Sequence, residues 1–300
     1  MGSAPRNITA AVLAMAGMAI ISLVDNFVIE MSRSHGLWQF HVLRAAVAVP
    51  VLIAAAWLTG QSLRVRRPLR LAARCLSIAT GLVIYFSALG ALPVAQAGAG
   101  LFSAPIWVLI LSAILFRYPI TAGQALSVFT GFAGVLMLLQ PDPRNLSALS
   151  FLPLGAGVFY GLGALLTRYW CAEESAMVLA IGVFVALGLV AMVPLIGFSF
   201  WPVSDSPGFL TRGWTPLTPH FTWLALVQTV GAIITMPMIA QAYRIGTPAY
   251  VAVFEYSFLI FAGLWGLLIW GQDMALTGWV GIALIIAAGM AMSALQRGRG

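Results

Sequence analysis

The 300-residue chain is 61% hydrophobic and 8% charged, with a mean hydropathy of +1.00. A soluble globular chain carries about 25% charged residues because its surface must meet water. That contrast excludes a soluble enzyme, a disordered scaffold and a nucleic-acid-binding domain, although the formal net charge is +7.

Apolar stretches of about 20 residues, enough to cross ~30 Å of hydrocarbon, occur at 8–30, 37–59, 69–91, 94–115, 120–140, 149–171, 175–198, 220–243, 248–270 and 274–296. Ten crossings of an all-α polytopic membrane protein are therefore expected. The first stretch contains Asp25 and lacks a small-residue cleavage site, so it reads as a retained span. All 15 basic residues are arginine. With the N-terminus in the cytoplasm, Arg6, Arg64, Arg66, Arg67, Arg70, Arg74, Arg117, Arg168, Arg244, Arg297 and Arg299 collect inside, against Arg33, Arg144 and Arg212 outside. This positive-inside bias predicts cytoplasmic termini in a bacterial inner membrane and makes the net charge a collar facing anionic lipid. Cys75 and Cys171 then fall on the reducing side, where a disulfide is not expected.

Helix punctuation follows the same plan. Pro93 and Pro248 open the fourth and ninth spans, and Gly36 and Gly60 flank the second. The segment 199–219 carries Pro202, Pro207, Pro216 and Pro219 with Trp201 and Trp214, a composition suited to an outer interfacial loop. A shift of 155 residues sets Pro93 on Pro248, Gly123 on Gly278 and Gly134 on Gly289, with Ala88 on Tyr243 and Pro105 on Ile260. The chain thus reads as five helices duplicated, residues 1–140 and 141–300. Five is odd, so the copies are inverted, an arrangement characteristic of secondary transporters.

The stretch "YFSALGALPVAQAGAGLFSAPIWVLILSAILF" followed by "GFAGVLMLLQP", between Tyr85 and Pro141, resembles EamA-type members of the drug/metabolite transporter superfamily. "AYRIGTPAYVAVFEYSFLIFAGLWGLLIWGQ", "GIALIIAAG" and "FHVLRAAVA" extend the resemblance across nearly the whole chain. It implies a ten-helix basket with helices 1, 3, 4, 6, 8 and 9 around a central cavity. In flavour it is similar to bacterial exporters of amino acids, aromatic ones included. Where many relatives close helices 4 and 9 with Gly-Glu, this chain has Phe116-Arg117 and Gly271-Gln272.

Ionisable residues inside a span are costly and are functional candidates by default. Here they are Asp25 and Glu30 in span 1, His41 and Arg44 in span 2, and Glu255 in span 9. Asp25 and Arg44 lie at matching depth on a hairpin turning near Ser34, a geometry that permits pairing. The pair reads either as a structural ion pair or as a gate or an anchor for a zwitterion's ammonium and carboxylate, with His41 one turn away. Glu255 reads as a proton carrier or as a hydrogen-bonding partner of a tyrosine or the backbone. Tyr85, Trp107, Tyr160 and Tyr256 offer amphipathic faces to a solute, and Asn26, Gln96, Ser103, Gln228 and Gln241 offer neutral hydrogen bonds. Pro105 and Pro237 are expected hinges inside spans 4 and 8, while Gly157 and Gly161 permit close helix approach. Trp57, Trp265, Trp270 and Trp279 read as packing or belt residues. No nucleotide, metal or nucleophile motif is present, so the expected partners are a small-molecule substrate and the lipid bilayer, with no cofactor and a monomeric state. A drug or cation exporter is the rival within transport; an intramembrane enzyme or sensor is the distant alternative.

Overall fold

A computed structural model describes residues 6–89, 92, 94–141, 144, 148–204, 208–271 and 274–297. Pro93, Pro207, Gln272 and Arg299, together with the side chains of Gln96, Trp270 and Arg297, lie outside what is described. The helices in chain order are α1 Asn7–Val24, α2 Asn26–Ser34, α3 Leu37–Leu58, α4 Pro68–Leu89, α5 Val94–Leu101, α6 Ala104–Phe116 and α7 Ala122–Leu139. They continue as α8 Leu152–Tyr169, α9 Ala176–Phe200, α10 Pro219–Ile245, α11 Pro248–Glu255, α12 Ser257–Trp270 and α13 Leu276–Arg297. No strand occurs among the described residues.

Nine stretches among the described residues are long and apolar enough to cross a bilayer. Ten were expected. The sixth, α8, has the length at 18 residues, but Gly155, Gly157, Gly161, Gly163, Thr167 and Arg168 dilute its apolar character. It packs instead on α4, α5, α6 and α10. A Cβ at Gly157 would lie 2.8 Å from the Gly100 carbonyl oxygen, and one at Gly161 would lie 3.1 Å from that of Ala104. The Gly157/Gly161 pair therefore serves internal packing, letting α8 touch the backbone where α5 ends and α6 begins.

Three of the spans are broken near their middles. The first is interrupted at Asp25, between α1 and α2; the fourth at Phe102 and Ser103, between α5 and α6; the ninth at Tyr256, between α11 and α12. Pro105 is consequently no mid-helix kink: it occupies the first turn of α6, where its missing N–H is tolerated. Pro237 does sit inside a continuous helix, α10. Both broken pairs in the later spans end in left-handed caps, Arg117 at φ 51° after α6 and Gly271 at φ 60° after α12.

Capping residues set the other ends. Thr121 and Gln124 form a reciprocal capping box on α7, while Ser175 and Thr218 accept from Val178 and Phe221 N–H groups to start α9 and α10. The most extensive helix pairings are α7 with α13, α4 with α8, α3 with α9 and α1 with α10. At the α7–α13 crossing, a Cβ on Gly134 would stand 2.6 Å from the Gly281 oxygen and a Cβ on Gly281 2.6 Å from that of Gly134. Only glycine on both sides allows that approach.

The two ends of the bundle are tied differently. At one, the Arg6 N–H donates to the Ile245 oxygen, Arg168 donates to the Arg244 carbonyl, and Glu174 accepts from the backbone N–H groups of Arg66 and Arg67. At the other, the 199–219 loop closes over the α2–α3 turn: the Trp38 indole donates to Leu210 O at 2.7 Å, and Gln39 exchanges hydrogen bonds with Thr215. Glu30 is exposed there and paired with Arg33 at 3.1 Å. Cys75 and Cys171 are buried and unbridged.

Candidate functional site

The helix breaks, with residues of α3, α4, α8 and α10, surround one cavity of about 90 Å³. A single water needs roughly 10–15 Å³, so the space exceeds a single hydration site. Apolar side chains form most of its wall: Met18 and Ile21 of α1, Leu82 and Phe86 of α4, Phe102 at the α5–α6 break, Met236 and Ile239 of α10, and Phe258 of α12. Set into this wall are Asp25, Arg44, Tyr85, Tyr160, Thr235 and Glu255. The cavity is drawn from spans 1, 3, 4, 6, 8 and 9, with Arg44 added from span 2.

Asp25 and Arg44 share the cavity, as their matching depth predicted, yet no ion pair joins them among the described residues. The expected hairpin packing is the step that fails. Spans 1 and 2 lean on α10 and α9 rather than on each other, and α10 touches α1, α2 and α3. Gln228 of α10 consequently takes the carboxylate, donating to Asp25 Oδ1 at 3.0 Å. Arg44 is 2% exposed, and its Nε and Nη1 have no hydrogen-bond partner. Its guanidinium carbon lies 5.3 Å from the Phe184 ring centre and 5.7 Å from that of Phe40. His41, one turn earlier, is fully buried against Phe40 and Phe86, and neither ring nitrogen has a partner.

Glu255 is the last residue of α11. The Tyr160 hydroxyl of α8 donates to its Oε1 at 2.7 Å, and the Tyr243 hydroxyl of α10 donates to Oε2. Of the two sequence alternatives, the tyrosine partnership is present, and it involves two rings where one was foreseen. Tyr243 was missed: its only signal was a phenol within an apolar span, twelve residues away on another helix.

The remaining candidates divide. Tyr85 and Pro105 line the cavity. Trp107 donates to Ser103 Oγ at 3.1 Å, and Ser103 donates to the Gly100 carbonyl at 2.6 Å, so both stabilise the α5–α6 break rather than the cavity wall. Tyr256 is buried against Gly131, its hydroxyl 3.5 Å from the Val128 oxygen. Asn26 is exposed and bonds back to the Ser22 carbonyl. Gln241 accepts from Arg244 at the Arg-rich end. Pro237 adjoins Met236 but does not line the space. The indole of Trp265 donates to the Ala19 carbonyl, a packing role.

Residues 8–140 match the EamA-like transporter family. The chain carries an EamA-like transporter domain in its first half. It is 24% identical over 215 residues to a riboflavin transporter of Brucella anthropi, covering 71% of this chain and 72% of that one. It is 23% identical to a riboflavin transporter of Vibrio cholerae serotype O1, covering 65% of this chain and 60% of the relative. An uncharacterized transporter of Helicobacter pylori is 24% identical, covering 62% of this chain and 60% of its own length. A solved crystal structure superposes with a TM-score of 0.77 over 96% of this chain and 98% of its own, at 17% identity, a likeness of fold alone.

Proposed function

We propose that this EamA-type transporter exports a small amphipathic metabolite, an amino acid with aromatic ones included, across the bacterial inner membrane by alternating access, with both termini cytoplasmic. The observation that carries the reading is the cavity itself: opposite charges, Asp25 and Arg44, with tyrosines and phenylalanines between broken helices. A zwitterion with an aromatic body matches those groups. A cation exporter fits less well, since a buried guanidinium in the same space repels its cargo.

Alternating access rests on the two five-helix halves, 1–140 and 141–300. Under the 155-residue shift, the α5–α6 break falls within two residues of the α11–α12 break, and Phe116 falls on Gly271, so the left-handed caps differ by one position. The packing exchanges in the same way. The contact of α4 with α8 corresponds to that of α10 with α1, α4 with α9 to α10 with α3, and α8 with α6 to α1 with α12, while α3–α9 and α7–α13 map onto themselves. Interrupted helices at equivalent positions of two inverted halves point to a substrate site between them.

Riboflavin is the second reading, favoured by three relatives named riboflavin transporter at 23–24% identity. Flux of labelled phenylalanine, tryptophan and riboflavin through proteoliposomes of the purified chain, with and without a pH gradient, separates them. Phenylalanine or tryptophan flux above empty liposomes is the expected result. Riboflavin flux alone replaces the amino-acid assignment, and flux of none of the three rejects both.

A further inference from the structure

We propose that Arg44 is the cavity's receptor for a carboxylate, so that the solute is an organic monoanion or a zwitterion; this deepens the transport reading above and rests on it. Buried charges in proteins are paired or hydrogen-bonded, because leaving a charged donor without a partner in low dielectric is expensive. Arg44 breaks that rule. It is 2% exposed, Nε and Nη1 lack partners, and the residue faces the cavity. The flanking rings of Phe40 and Phe184 stabilise its charge but offer no acceptor to Nε or Nη1.

The two carboxylates that share the cavity do not supply the missing acceptor. Asp25 is held by Gln228, and Glu255 is held by Tyr160 and Tyr243. His41, the neighbouring polar group, is itself without partners. An acceptor arriving with the solute completes the guanidinium. Planar, bidentate recognition makes carboxylate the group that arginine suits best. A doubly charged phosphate adds a second negative charge beside Asp25 and Glu255, which disfavours it. In a zwitterion, the ammonium falls to Asp25, across the same space.

The test is equilibrium binding to the full chain in nanodiscs, with 3-phenylpropionate, L-phenylalanine and L-phenylalaninol as probes. The alcohol keeps the aromatic body and the amine but lacks the carboxylate. Both acids are expected to bind, and phenylalaninol to bind weaker than phenylalanine by on the order of tenfold to a hundredfold, the range that a charge-assisted hydrogen bond commands. Arg44→Gln should bring phenylalanine and phenylalaninol within about twofold of each other, and Arg44→Lys should keep part of the preference. If Arg44→Gln does not fold, Arg44→Lys alone decides, because it must narrow the gap without closing it. Equal binding of phenylalanine and phenylalaninol by the unaltered chain overturns the assignment, as do an undiminished preference in either variant and failure of both acids to bind. Flux in proteoliposomes keeps the two readings apart: riboflavin transport unaffected by Arg44→Gln preserves the transporter and removes the carboxylate site, whereas Arg44-dependent binding without flux does the reverse.

Discussion

Glu255, held by the Tyr160 and Tyr243 hydroxyls, permits a quantitative test of how the cavity wall is stabilised. Each hydroxyl donates to a carboxylate in low dielectric, so each bond is worth about 1.5–3 kcal/mol. Tyr160→Phe and Tyr243→Phe should each destabilise the chain by that amount. The double variant leaves the carboxylate buried with neither donor, and the two effects should couple by about 0.5–3 kcal/mol because they share one acceptor. Glu255→Leu removes the acceptor instead and strands two hydroxyls at about 1–3 kcal/mol each. The triple variant, Tyr160→Phe, Tyr243→Phe and Glu255→Leu, has no orphaned polar group and should regain most of what Glu255→Leu loses. Equilibrium unfolding of the purified chain in mixed micelles supplies these values. A triple variant no more stable than Glu255→Leu, or single phenylalanine variants within ~0.5 kcal/mol of the unaltered chain, refutes the argument.

Two further predictions concern the scaffold. Gly134→Ala or Gly281→Ala places a methyl group 2.6 Å from the facing carbonyl oxygen and should cost about 1–3 kcal/mol by forcing α7 and α13 apart; an unchanged unfolding midpoint contradicts the close crossing. For topology, Gly208→Cys in the exposed 199–219 loop should react with a membrane-impermeant maleimide in intact cells, whereas Gln61→Cys between α3 and α4 should not. Labelling of position 61 alone reverses the assigned orientation.

The helix pattern was legible because it depends on local chemistry. Apolar length sets a span, and Thr121, Ser175 and Thr218 set helix starts by bonding to N–H groups three residues away. The breaks were harder to see. Pro105 marked the neighbourhood of one, but a proline reads equally as a kink or as a helix start, and the choice depended on Ser103 and on Gly157 of a different helix. Asp25 and Tyr256 interrupt their spans without any proline or glycine at the break; Asp25-Asn26 is a weak helix-forming pair, and Tyr256 carries no comparable local signal. The α8 span was counted from length, and its six small or polar residues are tolerated because neighbouring helices surround it.

The candidate site divides along the same line between local and long-range information. Depth in the membrane can be counted along each span, and counting set Asp25 and Arg44 at one level; both line one cavity, together with Tyr85 and Glu255. Partnership cannot be counted in that way, because it depends on which helix lies between two others. Consecutive spans on a short turn are natural neighbours, and that rule paired Asp25 with Arg44; α10, entering 194 residues after Asp25, displaced the pair through Gln228. The displacement gives Arg44 its significance. Had the hairpin closed, both charges would have been neutralised by the fold; with α10 interposed, the carboxylate has an amide, and Arg44, which lines the cavity, keeps Nε and Nη1 without a partner. A charge left in that state is stabilised best when an anion is present, so solute binding and the electrostatics of the surrounding helices are coupled. In the proposed role, the same residue that makes the empty cavity costly gives the occupied one its selectivity.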